Sequence, residues 1–329
     1  MIPIVLRFTV LASVLACSLP AFATGPYNET WVSHTGSDSN NCSTPSLPCQ
    51  HLASALLETA AGGQINVMDS GHFGPVIITQ SVSIVNAVAG TATNIGGYDA
   101  NGTPFLASIT IVAGADGVVT VRGFVLNGLD FQTNVVGVLI NNASQVNIEN
   151  CLILNNSLAG IDVSPNIDGT SQTLATSFNV KIKDSTLTGN GAGIRIAPTT
   201  ATPINVVVDR TEIDNNAGGG MKADGTSGGP ITVSISGSSI SMNPGNGVNA
   251  VGPSNNVIIN LNNDVIASNG TAGVQANGAN AAVLVSNTSI LDNTAGATSA
   301  VGGGRILTYG NNRVVGSAGT GFTGPAALQ

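Results

Sequence analysis

A chain of 329 residues with 8% charged side chains and a formal net charge of −8 lacks the basic footprint needed to hold nucleic acid or an anionic membrane. Hydrophobic residues reach 42%, yet beyond the first two dozen positions no apolar run is long enough to span a bilayer. Aromatic residues at 4% leave few platforms for stacking sugars or bases.

The N-terminus reads as an export signal. Arg7 precedes an apolar stretch at residues 8–19, and Ala21-Phe22-Ala23 has the small-x-small pattern of a cleavage site. Cleavage after Ala23 is expected, making 1–23 a signal peptide and the mature protein secreted, periplasmic or held at the cell surface. Val14-Leu15-Ala16-Cys17 offers a minor alternative, lipid anchoring through Cys17.

Residues 24–63 are expected to cap the repeats beyond them. Thr30-Trp31-Val32-Ser33 suggests a strand, and residues 50–60 an amphipathic helix closed by Gly62-Gly63. Trp31 reads as core of this lid. Cys42 and Cys49 flank a short Pro-containing loop, so in an oxidising compartment they are expected to pair. From residue 64 short alternations begin, such as Val82-Ser83-Ile84-Val85. Asp99-Ala100-Asn101-Gly102 faintly resembles a calcium loop, but too few acidic ligands follow for a full oxygen shell.

A repeat then governs the chain. The aliphatic anchors Ile153, Leu187, Ile213, Ile240, Ile266 and Ile290 follow one another at intervals of 34, 26, 27, 26 and 24 residues. Three residues after each stands an asparagine: Asn156, Asn190, Asn216, Asn243, Asn269 and Asn293. Before each anchor, and again after each asparagine, lies a period-two alternation such as Val180-Lys181-Ile182-Lys183 or Gly193-Ile194-Arg195-Ile196. That period describes half-buried strands, and the interval describes a stacked solenoid. Three short strands per turn make an all-β, single-stranded parallel β-helix over 64–316, three-sided in section, with an N-terminal helix/strand cap and a tail at 317–329. Asparagine suits a tight corner because it tolerates left-handed backbone and its amide can bond the asparagines above and below. The six are therefore expected to form an internal ladder. Cys151 occupies the position of Ser185, Thr211 and Ser238 in other turns, which makes it a small inward-facing thiol rather than a nucleophile. The 34-residue step carries an insertion within residues 164–177.

On these residues the chain resembles the right-handed parallel β-helix superfamily, that of pectate lyases, polygalacturonases and phage tailspikes. The resemblance is specific for fold, because those families share no single activity. In the related lyases and hydrolases, a long sugar chain lies along the first parallel sheet, walled by the loop joining third strand to first. Here the resemblance would make 164–177 that wall and put Glu149, Lys183 and Asp209 on the groove floor. Arg195 and Lys222 could then face a uronate carboxylate while Lys183 takes the proton alpha to it. No family catalytic motif carries over. Adjacent Asp-Asp, Gly-His-Gly, Arg-x-Lys and Asp-Pro-His are all missing, and no nucleophile elbow, zincin helix or P-loop is present.

Two outward rows remain as candidate binding surfaces: Glu149, Lys183, Asp209, Ser236 and Asn262 before the anchors, and Asp162, Arg195, Lys222, Asn249 and Gln275 after the asparagines. Their plainest role is a solvent-facing stripe of alternating charge that pins register, in which Asp162→Ala is nearly neutral. The expectation is an exported, non-catalytic binding or structural module for extended glycans, with no cofactor and no metal site. The alternatives are a lyase acting on uronic-acid polymers, with Lys183 and Arg195 as its catalytic candidates, and an adhesin- or spike-like surface fibre.

Overall fold

The computed structural model describes residues 25–86, 92–94, 106–128, 136–166 and 173–326. The segment expected to be a signal peptide, with Cys17 and Ala23, the stretch from Asp99 to Gly102, and positions 167–172 of the insertion lie outside them.

Between strands Thr59–Val67 and Gly296–Val301 each turn lays down three strands, named here first, second and third in chain order, and each stacks in parallel on its counterpart one turn away. The turn after the insertion shows the pattern with first strand Phe178–Lys183, second strand Thr186–Thr188 and third strand Ala192–Ile196. Along Ile204–Asp209 the burial alternates, with Ile204, Val206 and Val208 inside and Asn205 and Val207 outside. This is the period-two signature of a pleated strand with one wet face. The anchors stack without slippage, Leu126 on Ile153, Leu187, Ile213, Ile240, Ile266, Ile290 and Val314. All but Val314 are fully buried. The second strands form a ten-stranded sheet. The first and third stacks join into a 19-stranded sheet, because Ala107–Arg122 and Val136–Glu149 run from third strand into first without a break.

The asparagines line one corner as a continuous ladder. Each amide N–H2 donates to the next Oδ1, at 2.9 Å from Asn156 to Asn190, 3.0 Å to Asn216, 3.1 Å to Asn243, 3.0 Å to Asn269 and 2.9 Å to Asn293. Each accepting Oδ1 also takes the backbone N–H of the asparagine one turn earlier. The second amide hydrogen of Asn190, Asn216, Asn243, Asn269 and Asn293 goes to the carbonyl of the preceding turn's anchor. The backbone role expected of these residues belongs to their neighbours. Positive φ falls one position earlier, at Asn155, Gly189, Asn215, Met242, Ser268 and Asp292, so the ladder residue is chosen for its amide alone. The glycine opening the third strand answers to the same corner. A Cβ on Gly220 would stand 2.4 Å from Ile240 Cγ2 and 3.1 Å from Asn243 Nδ2.

A second polar column runs where the first strand turns into the second. Backbone N–H groups of Cys151, Thr211, Ser238 and Thr288 donate to Ser185, Ser238, Asp264 and Asn312 respectively. Cys151 is buried here, and that burial pushes its thiol up to about 11, far from nucleophilic range.

At the N-terminal end the helix Leu52–Glu58 lays Leu52, Ala55 and Leu56 over the core. Strand Tyr27–Val32 pairs in parallel with Thr59–Val67, so the lid's strand is also the first layer of the column. Cys42 and Cys49 are joined by a disulfide, and the Cys42 carbonyl and Cys49 N–H bond the backbone of Trp31. Trp31 itself is not lid core. It lies between the buried Thr30 and Val32 and therefore points outward, partly exposed. At the other end Phe322 packs against the core and Gly324–Pro325 pairs with Leu307 and Thr308. No described helix is long and apolar enough to cross a membrane.

Candidate functional site

Because side chains alternate along each strand, every second residue of the first stack points outward, and strict register makes those residues a row. The row runs Trp31, Asn66, Val85, Arg122, Glu149, Lys183, Asp209, Ser236, Asn262 and Ser286. Tyr309 extends it, since Thr308 pairs with Val285 and the Tyr309 N–H donates to the Val285 carbonyl. Ten steps at about 4.8 Å make a track of roughly 48 Å.

The charges in mid-row do not pair along it as the sequence suggested. Glu149 makes no ion pair among the described residues, and the Lys183 amine turns to Asp184 at 3.5 Å. Asp184 and Arg210 occupy the tight corner with positive φ on successive turns. Arg210 grips Asp184 through Nε at 2.8 Å and Nη2 at 3.2 Å, and reaches Asp209 through Nη1 at 2.6 Å. A forked guanidinium–carboxylate contact outcompetes a single ammonium contact across a strand. The Arg210 hydrogen bond holds the Asp184 carboxyl below its usual range, and Asp184 in turn raises Arg210.

The row on the third stack also departs from expectation. Asp162 and Arg195 are register partners and form an ion pair at 2.7 Å. Asp162, however, is not a solvent-facing residue. Its side chain is 4% exposed against 40% for Arg195, covered by that guanidinium and by Ser164, whose hydroxyl donates to the carboxylate. Lys222 bonds Asp224 on its own strand at 2.8 Å. A cleft of about 90 Å³ lies among Arg195, Lys222, Asn246 and Asn249. Lys183 and Arg195, the two catalytic candidates, project from different stacks and are each engaged by an aspartate. No group of three His, Cys, Asp or Glu side chains among the described residues could hold a metal ion.

Two larger concavities open on the first-stack row, one at each end. Trp31 lines the first with Glu29, Pro45, Asn66, Met68 and Val85, at about 350 Å³. The second, about 440 Å³, is formed by Asn260, Asn262, Leu284, Ser286, Tyr309 and Asn311. Sequence reading missed Tyr309 and Asn311 because the repeat decays after Gly296. Counting on from Ser286 by one turn would have reached Tyr309. The histidines serve the cap, where His51 bonds Asp38 at 2.5 Å and His34 meets Asp69 at 3.2 Å. Burial alone would raise Asp38 and Asp69, but bonds from His51 and from Ser33 and His34 hold both below the usual carboxylate range.

Among solved structures, the chain is similar to pectate lyase Pel9A, at 13% identity and a TM-score of 0.49, over 92% of this chain and 79% of that one. It is also similar to a GH136 lacto-N-biosidase from Eubacterium ramulus, at 9% identity and a TM-score of 0.47, over 88% of this chain and 67% of that one. No curated protein sequence matches it. The family described as the right handed beta helix region matches twice, over residues 93–232 and 173–324. With the parallel strand stacks and their asparagine ladder, those matches make the chain a member of the right-handed β-helix family.

Proposed function

We propose that this protein is an exported, non-catalytic module that binds an extended glycan along the outward face of the first stack. One observation carries the reading: an unbroken row of about 48 Å, at a spacing of about 4.8 Å, begins at one aromatic concavity and ends at another. The faces beside that row are rich in amides and hydroxyls, including Asn147, Asn179, Asn205, Thr232, Ser234 and Asn260. Such groups suit the hydroxyls of a polymer and weakly favour a long ligand over a short one. Lys183, Arg195 and Lys222 each face an aspartate, an arrangement that neutralises a cation rather than leaving it poised as a base.

Affinity electrophoresis of the mature chain through gels holding neutral or uronate polysaccharides tests this. Retardation without release of oligosaccharides is expected. Unsaturated or reducing-end products that vanish in Lys183→Ala or Arg195→Ala would overturn it in favour of a lyase.

A further inference from the structure

The row is charged in its middle and uncharged at its C-terminal end. There the residues Asn260, Asn262, Ser286, Tyr309 and Asn311 surround the concavity of about 440 Å³ over Leu284, a volume within the range of small-ligand sites. None of these carries a formal charge, so a carboxylate placed among them would find no counter-ion.

Resting on the reading that the first stack binds glycan, we infer that this concavity is a subsite for an uncharged sugar ring, with Tyr309 as its platform. The hydrogen-bonding directions are already fixed. Asn262 Oδ1 accepts the Ser286 hydroxyl at 3.0 Å, a hydrogen it shares with the Leu261 carbonyl at 3.3 Å, which leaves its N–H2 to donate outward. Asn311 Oδ1 accepts the Asn287 backbone N–H at 2.9 Å, which leaves a second N–H2. Asn260 directs its N–H2 to the Val233 carbonyl at 3.5 Å, which leaves an acceptor. Two donors and one acceptor around an apolar floor complement a ring whose edge is hydroxylated and whose face is not. Tyr309, a residue 37% exposed, supplies a flat apolar ring surface and has only two torsions to immobilise.

The segment carrying Tyr309 and Asn311 is held in place before any ligand arrives. The Gly310 N–H donates to Thr308 Oγ1 at 2.9 Å, Asn312 Nδ2 to the Val285 carbonyl at 2.8 Å, and the Thr288 N–H to Asn312 Oδ1 at 2.8 Å. A preset loop lowers the ordering cost of binding.

The test uses calorimetric titration of the full mature chain with neutral gluco-, manno- and xylotrioses and with trigalacturonate. Wild type should bind at least one neutral trisaccharide and bind trigalacturonate more weakly. Tyr309→Ala should weaken the neutral ligand about tenfold or more, and Tyr309→Phe should stay within about threefold. Tyr309 is exposed, so an unaltered melting midpoint of Tyr309→Ala serves as the folding control. Unchanged trisaccharide binding in Tyr309→Ala would overturn the subsite while leaving the glycan-binding reading intact. A preference for trigalacturonate that is lost in the same variant would overturn the uncharged ligand class. Failure of every trisaccharide, with polysaccharide still retarded in gels, would also overturn the subsite alone. Failure of polysaccharide too would overturn the reading beneath it.

Discussion

Asp264 sits where every neighbouring turn has a hydroxyl. Thr211, Ser238 and Thr288 each donate to the carbonyl two residues earlier, at 3.1, 3.0 and 2.8 Å. A carboxylate cannot donate, and Asp264 instead accepts the N–H groups of Ser238 and Asn262, both at 2.9 Å. Burial outweighs those two bonds and pushes its carboxyl up to about 6, from 3.8. A raised carboxylate pKa means that the fold prefers the neutral form. The contribution of Asp264 to stability is therefore greatest below the unfolded value and is lost as pH rises from about 4 to about 6, by roughly 3 kcal/mol. Asp264→Thr restores the hydroxyl pattern. It should raise the urea midpoint at pH 7.5 and make little difference at pH 4. Equal pH profiles for the two proteins would show that Asp264 ionises at no cost.

Among elements, the third strand shows how burial separates two partners that the sequence treats alike. Asp162 and Arg195 lie in one outward row, but only Asp162 is covered. Removing the carboxylate frees a guanidinium that can reach water, so Asp162→Ala should cost about 1 kcal/mol. Removing the guanidinium strands a buried negative charge, and Arg195→Ala should cost more, about 2–3 kcal/mol. Denaturant midpoints of both variants check the order, and the reverse order would mean that Ser164 alone satisfies Asp162. The pairing of these two residues was legible, since the interval between turns aligns them. The covering of one by the other was not, because it depends on how Ser164 turns back at the strand's end. The same distinction separates Asn216, readable as a ladder residue from period and type, from Asn215, whose left-handed backbone no repeat of side-chain types announces, Met242 and Ser268 serving equally at its position.

For the whole molecule, stacked turns contact only their neighbours, so stability depends on how the ends are closed. The Cys42–Cys49 bridge spans seven positions and closes the loop whose backbone bonds Trp31 in strand Tyr27–Val32. A Cys42→Ser/Cys49→Ser chain should lose about 2 kcal/mol, with hydrogen-exchange protection falling first between residues 27 and 67. Uniform loss of protection along the column would indicate a single cooperative unit instead.

Period and residue type determined the parallel stacks, the anchor column and the asparagine ladder, because a two-residue pleat inside a turn of about 25 residues admits one register for an apolar face. They did not decide which polar residues meet outside. The Arg210 fork with Asp184 and Asp209, the burial of Asp162 and the Tyr309 concavity all depend on corner geometry and on where the column stops. Only the folded chain brings those together, since outward side chains are constrained by their neighbours in space and not by the alternation that buries the core.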